Sequence, residues 1–234
     1  YKPYKAKRIK APDELYEQIP EVKKLLQSFG VKCLEAPGFE ADDILGAIAE
    51  KVRAEENLEN IILTGDMDAL QLVDEKTKVN AISRGIKEAV LYGKKEIAQK
   101  FGGLAPGQLV DFKALRGDPS DNIPGVTGIG EKTALELIRR FGSLENVYQS
   151  LEEIKPAVAL KLSKFRKQAF VSKKLALICR EIPVSFTLKE CRWEGYNEEK
   201  AAEIFSQYGF HSLVKRIEKE KGRSLKKPGN LTLF

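Results

Sequence analysis

Residues 111–147 read DFKALRGDPSDNIPGVTGIGEKTALELIRRFGSLENV, and the stretch Ile123–Ile138 within them decides how this part of the chain folds. An apolar-Pro-Gly-apolar start leads to Gly125, Gly128 and Gly130 and then into an amphipathic helix. Glycine lets a backbone turn tightly and approach a ligand closely. A helix that begins at such a turn aims its unpaired amides at it, and these bind phosphate oxygens. Lys132 adds a positive charge at the same place. Contact of this kind touches only backbone phosphates and is blind to base sequence. The plain alternative is a glycine-rich loop joining two helices, but the helix-hairpin-helix pattern is more complete than such a loop requires.

Working outward, the segment just before the hairpin, GDPSDNIPGV, sets Asp118 and Asp121 beside a turn. Upstream, GFEADDILG supplies Glu40, Asp42 and Asp43, and TGDMDALQLV supplies Asp66 and Asp68. Hard cations such as Mg²⁺ take oxygen ligands, and carboxylates brought together repel unless a cation sits among them. Asp66 comes just after the apolar run Ile61–Leu63, past Thr64 and Gly65, which puts it at the C-terminal edge of a strand, where open α/β sheets bind ligands. Each segment also has a structural reading: acids at helix starts cap free amides, and Asp-Pro and Asp-x-x-Asn are ordinary turn chemistry. His211 is the only histidine, and Cys33, Cys179 and Cys191 share no metal-ligand spacing. A zinc site or a histidine-based triad is thereby set aside in favour of an all-carboxylate metal site, although spacing alone does not bring the acids together.

The flanking pattern is that of an α/β protein. Asp13–Phe29 reads as helix with Pro20 marking a break or a new first turn, and Val31–Leu34 as a short strand. In Ala41–Arg53 a stripe of Ile44, Leu45, Ile48, Ala49 and Val52 predicts an amphipathic helix. Ile61–Leu63 reads as a strand buried on both faces, followed by helix over Asp68–Val73 and strands at Lys78–Ile82 and Ala89–Tyr92. The alternation predicts a mainly parallel sheet. After Gly93 helices dominate, including a long basic stretch Lys155–Arg180, and Glu218–Phe234 reads as a basic helix end with a flexible tail.

With 234 residues the chain makes one large domain or two small ones, and 42% hydrophobic with 32% charged residues is ordinary for a soluble globular protein. A net charge of +6 favours a polyanionic partner without requiring one. No apolar run is long enough for a membrane helix, and the three cysteines read as reduced thiols of a cytosolic protein. Tyr4-Lys5-Ala6-Lys7-Arg8 is suited to positioning a phosphate, and also to being a solvated charge run. Lys161, Lys164, Arg166, Lys167, Lys173 and Lys174 are a solvated helix face or a duplex-tracking surface, and Trp193 and the phenylalanines read as core.

Taken in order, YKAKR, GFEADD, TGDMDALQLV and residues 111–147 resemble the 5′ nuclease domain of bacterial DNA polymerase I, with flap endonucleases as more distant relatives. The resemblance runs on through LALICREIPVSF and covers about Tyr1 to Ile217. It implies a PIN-like (Rossmann-like) α/β nuclease core over residues 1–92, a helical helix–three-turn–helix DNA-binding region over 93–217 with the hairpin at 118–141, and a tail at 218–234. It implies that Glu40, Asp42 and Asp43 bind one divalent ion, Mg²⁺ or Mn²⁺, and that Asp66, Asp68, Asp118 and Asp121 surround a second. Lys5 and Arg8 match residues that contact the scissile phosphate, and Gly125–Thr133, with Gly128, Gly130, Lys132 and Thr133, matches the duplex grip, where relatives also hold K⁺. The implied activity is two-metal hydrolysis of DNA at 5′ flaps, nicks or 5′ ends, for primer removal and repair, in the bacterial cytoplasm at the nucleoid.

The family also carries a strand and helices ahead of YKAKR, with two more aspartates, and these are absent from this sequence, which starts at Tyr1 rather than Met. A core lacking its N-terminal part is therefore expected, and a non-catalytic module that binds branched DNA is the competing reading. An RNA-directed PIN-type ribonuclease is a third, less suited to a hairpin built for duplex DNA. The final Asn230-Leu231-Thr232-Leu233-Phe234 resembles the peptide that docks on the bacterial sliding clamp, with Leu231, Leu233 and Phe234 as anchors; a chance apolar tail reads equally well.

Overall fold

The computed structural model describes residues 1–82 and 89–221. They pack into two units: residues 1–9 with 35–184, and residues 10–34 with the C-terminal part from 185. This division by packing does not follow the change of sequence character at Gly93.

The first unit holds a three-stranded sheet, β1 (Asn60–Thr64), β2 (Thr77–Ala81) and β3 (Val90–Tyr92), in the order β1-β2-β3. β1 and β2 are parallel, in register from Asn60 opposite Thr77 to Thr64 opposite Ala81. β3 runs antiparallel to β2. The connection between those two is shorter than the dozen or so residues a parallel crossover needs, so the alternation of elements does not here produce a parallel pair. Between β1 and β2 the expected helix is a 3₁₀ helix, Met67–Leu72, which buries Ala69, Leu70 and Leu72 completely.

β1 corrects one expectation. Only Ile62 is buried; Ile61 and Leu63 are 55% and 57% exposed. A continuous apolar run predicts cover on both faces, but among the described residues only the Ile62 face of β1 is packed. Helix α2 (Ala41–Arg53) forms as its stripe predicts, burying Gly46, Ala49 and Val52. Gly46 is required there: a Cβ would lie 2.8 Å from the Ile178 side chain and 3.2 Å from the Cys179 carbonyl, which cross the helix at that point.

The helices of this unit are α3 (Lys94–Lys100), α4 (Gln108–Arg116), α5 (Glu131–Phe141), α6 (Leu144–Gln149), α7 (Pro156–Lys164) and α8 (Arg166–Ala176). Leu104, Leu115, Ile138, Leu144, Val147 and Leu162 form their fully buried core. The basic stretch 155–180 is not one helix. It starts with Pro156 in the first turn, breaks at Phe165, whose ring packs on the core, and ends at Ala176. Lys173 is not a free surface charge either: it pairs with the buried Asp111 at 2.6 Å and with Glu145 at 2.7 Å.

The second unit contains α1 (Asp13–Ser28), α9 (Glu198–Gln207) and α10 (His211–Lys221), around Ala201, Phe205 and Ile217 with Leu25, Phe29 and Tyr196 against them. α1 continues through Pro20, where a break or a new first turn is expected; the residue is solvent-exposed, so water can take the backbone carbonyl that loses its helical partner there. Val31–Leu34 is irregular rather than a strand, because among the described residues no strand pairs with it. Trp193 is 54% exposed instead of buried in core, and its ring nitrogen donates to the Phe29 carbonyl at 2.7 Å. No described helix is long and apolar enough to cross a membrane.

Candidate metal centre and nucleic-acid interface

Three chain segments bring the acids together. The N-terminal turn of α2 carries Glu40, Asp42 and Asp43. β1 ends at Thr64, whose hydroxyl accepts from the Asp66 amide at 3.0 Å; Asp66 in turn caps the 3₁₀ helix by accepting from the Asp68 amide at 2.9 Å. After α4 the chain turns through Gly117 into a loop closed by paired Asp118–Ile123 backbone bonds of 2.8 Å, with Asp121 on it. Glu40, Asp42, Asp43, Asp68 and Asp121 line one cleft of 310 Å³. Asp66, Asp68 and Asp118 line a second of 340 Å³. Asp68 belongs to both, and oxygens of Asp68, Asp118 and Asp121 lie within 4.8 Å of one another.

The crowding shifts the carboxyl pKa values from their ordinary range. Burial raises the Asp42 carboxyl, and the charges of Asp66, Asp68 and Glu40 raise it further. Burial likewise raises Asp68, with Asp66 and Asp118 adding to the effect against the opposing charge of Lys113. Asp118 goes the other way: burial would raise it, but Lys113 and the Ser120 hydroxyl and amide outweigh that and hold it at about 2. Acids that repel one another in a half-buried place, all offering oxygen, suit a hard divalent cation such as Mg²⁺ or Mn²⁺. Asp43 differs from the others. Its two oxygens accept from the Glu40 amide at 3.0 Å and the Cys179 amide at 2.9 Å, so it acts as a helix-start cap and a tie to the segment after α8.

Three cations stand against this cluster. Lys5 is bonded to Glu40. Arg8 donates to Asp121 through both Nε at 3.2 Å and Nη2 at 2.6 Å. The third, Lys113 on the last turn of α4, was not singled out by the sequence; it pairs with Asp68 at 2.5 Å and with Asp118 at 2.6 Å. The only signal for it was a lysine five positions before Asp118, which says nothing about Asp68 until the helix is placed. The Tyr4–Arg8 segment is docked over the loop by the Lys5 amide on the Asp121 carbonyl at 2.9 Å and by Asn122 Nδ2 on the Pro3 carbonyl at 2.7 Å. Lys5 and Asn122 both hold left-handed backbone, φ 54° and 57°, a conformation that costs non-glycine residues about 1 kcal/mol and persists where its surroundings fix it.

The hairpin lies on the same unit, packed between α4 and α8. Gly125 has φ +61°, and a Cβ there would lie 2.3 Å from the Gly117 nitrogen. Its amide donates to the buried Ser172 hydroxyl at 3.1 Å, and its carbonyl accepts from Gln168 Nε2 at 2.7 Å. Gly128 has φ +82°, with its carbonyl bonded to Lys161 Nζ at 3.1 Å. Gly130 opens α5, and among the described residues no side chain caps the first amides of that helix. Lys132 is exposed. Thr133 is half-buried and lines a groove with Ile154 and Val158. Lys164, Arg166 and Lys167 are exposed along α7 and α8. The tail residues Leu231, Leu233 and Phe234 lie outside the described residues.

Residues 1–102 match the family described as 5′-3′ exonuclease, N-terminal resolvase-like domain. Residues 104–199 match 5′-3′ exonuclease, C-terminal SAM fold. The DNA polymerase I of Caldicellulosiruptor bescii is 41% identical over 219 residues, 93% of this chain and 26% of that protein. That of Bacillus subtilis is 37% identical over 225 residues, 96% of this chain and 25% of that protein. The chain thus spans about a quarter of the length of these relatives. Among solved structures, the bacteriophage T5 D15 protein co-crystallised with metal ions superposes with a TM-score of 0.62 at 19% identity, covering 92% of this chain and 76% of that one. The catalytic core of Rad2 in complex with DNA substrate gives 0.59 at 22% identity, covering 89% and 70%. At these identities the likeness is one of fold: a PIN-like, resolvase-type α/β part followed by a helical SAM-fold part.

Proposed function

This chain belongs to the 5′-3′ exonuclease family, and from that premise we propose that it is a metal-dependent nuclease hydrolysing DNA phosphodiesters at 5′ flaps, nicks or 5′ ends, in primer removal and repair. The observation that carries the reading is the meeting of Asp42, Asp66, Asp68, Asp118 and Asp121, from three separate segments, in two clefts that share Asp68. In this reading Asp42, Asp66, Asp68, Asp118 and Asp121, with Glu40 at the edge, hold two divalent ions, Mg²⁺ or Mn²⁺; Asp43 supports them by fixing the start of α2. Bound divalent ions supply an activated water and charge stabilisation for the leaving oxygen.

The chain's own residues do the rest. Lys5 and Arg8, held beside the acids, are placed to offset the negative charge of the phosphate. The uncapped start of α5, with Lys132, takes the duplex backbone through amides and one charge, and Gly125 and Gly128 give the turn its close approach. Lys164, Arg166 and Lys167 extend that positive surface. Structures of related fold, the Rad2 catalytic core with DNA substrate and T5 5′-exonuclease with divalent metal ions, support both partners. A K⁺ ion at the Gly125–Thr133 hairpin would be held by backbone carbonyls, of which that of Gly128 is already taken by the Lys161 ammonium. Docking of the tail on a sliding clamp is a further part of the reading.

A labelled 5′-flap duplex incubated with Mg²⁺, with and without chelator, tests the proposal. Chelator-sensitive cutting near the flap junction is the expected result. Binding without such cutting would make the chain a branched-DNA-binding module, and preferential cutting of single-stranded RNA would make it a ribonuclease.

A further inference from the structure

Lys113 stands apart from the other cations of the site. Lys5 and Arg8 each pair with a single acid, Glu40 and Asp121. The Lys113 ammonium lies between two, at 2.5 and 2.6 Å from the oxygens of Asp68 and 2.6 Å from Asp118 Oδ2. Its side chain is 16% exposed, and those of Asp68 and Asp118 are 25% and 13% exposed, so solvent screens this pairing only partly. Asp68 and Asp118 also belong to the trio whose oxygens lie within 4.8 Å of one another. A divalent ion taking oxygens of that trio at the usual ~2.1–2.6 Å needs the space in which the ammonium stands. Lysine carries its charge on a flexible four-carbon stem, and Lys113 also lines the 340 Å³ cleft beside Gln71 and Arg116, which gives the ammonium somewhere to go.

We propose that Lys113 is a built-in counter-cation. It holds Asp68 and Asp118 together when no divalent ion is bound, and an incoming divalent ion displaces it. The inference rests on the metal centre proposed above and concerns how that centre is loaded. Its consequence is opposed to that of an organising residue. Removing the lysine's charge takes away a competitor, so metal binds more tightly, while the metal-free protein loses the contact that offsets two neighbouring carboxylates.

The test uses Mn²⁺ alone, titrated into DNA-free protein and followed by the electron paramagnetic resonance signal of free Mn²⁺, with thermal unfolding in chelator and in saturating Mn²⁺ alongside. Lys113→Met is expected to bind Mn²⁺ about tenfold more tightly than wild type. It should melt lower than wild type in chelator, with the difference closing in Mn²⁺, whereas Lys113→Arg stays close to wild type in both respects. A Lys113→Met protein that folds only when Mn²⁺ is added supports the proposal. Unchanged or weaker Mn²⁺ affinity in Lys113→Met overturns it, as does a protein unfolded with and without Mn²⁺, which would make Lys113 a core ion-pair residue. The double variant Asp118→Asn/Asp121→Asn separates this from the parent reading. Two Mn²⁺ ions bound as tightly in the double variant as in wild type put the metals away from Asp118 and Asp121 and sink the centre itself. Binding lost there but unchanged in Lys113→Met sinks only the counter-cation.

Discussion

Gly125 is the residue on which the hairpin's shape turns. It combines a left-handed backbone with a Cβ direction that points into the Gly117 nitrogen at 2.3 Å and the Arg116 carbonyl carbon at 2.6 Å. Neither obstacle is a side chain that can swing away. Gly125→Ala is expected to cost more than about 2 kcal/mol in urea unfolding and to weaken duplex binding with it; a variant of wild-type stability would mean that the loop has a second conformation. Tyr148 tests a different force. Burial pushes its hydroxyl up to about 12, the nearby charge of Arg166 opposing only partly, and the hydroxyl donates to the Leu162 carbonyl at 3.1 Å. A folded-state value above the unfolded one gives stability that is complete below about pH 10 and lost as the pH rises through 12. Against Tyr148→Phe, which cannot ionise, wild type should therefore lose about 1.4 kcal/mol between pH 8 and pH 11, read from urea melts at the two values. An unchanged gap between the two proteins would place the tyrosine in contact with solvent.

Elements differ in how much of themselves they write into sequence. α2 and α5 do so fully, since an amphipathic stripe on one side and a turn or a run of glycines at the start leave little else to form. β1 does not: Ile61-Ile62-Leu63 says apolar strand, but which faces are covered depends on which other elements of the sheet lie against them, and here two of those three side chains are more than half exposed. The break at Phe165 and the passage of α1 through Pro20 are likewise decided by packing and exposure, which periodicity does not encode. At the site, each acid could be named from its own segment, but their meeting needed the placement of α2, β1 and the loop after α4. Lys113 needed a helix to be set against a 3₁₀ turn from elsewhere in the chain. For α5 the sequence and the structure lead to one expectation. An uncapped helix start with a single exposed lysine grips backbone phosphate, so Lys132→Ala should weaken duplex binding roughly equally for unrelated sequences and flatten the plot of log affinity against log salt by about one unit. A loss confined to one sequence would mean base contact instead.

For the molecule as a whole, the proposed function implies that binding DNA and cutting it would draw on different residues. At the acids Lys5, Arg8 and Lys113 are already paired, whereas Lys132 at the start of α5 and Lys164, Arg166 and Lys167 on α7 and α8 are exposed. On that reading, metal loading would serve the chemistry and the exposed cations the affinity. Asn at both Asp118 and Asp121 removes two of the crowded carboxylates but leaves Lys113 on Asp68 and keeps a side-chain carbonyl available to the Ser120 hydroxyl, so the loop has the means to stay folded. The double variant should therefore cut a 5′-flap duplex about a thousandfold more slowly in single-turnover assays with Mg²⁺. Its affinity for the same duplex in chelator, measured by fluorescence anisotropy, should stay within about threefold of wild type with an unaltered salt slope. Cleavage that persists would move the reaction away from this cluster. Affinity that collapses along with cleavage would mean that the acids and their paired cations hold the DNA-binding surface in shape, and that binding and chemistry are not separable in this fold.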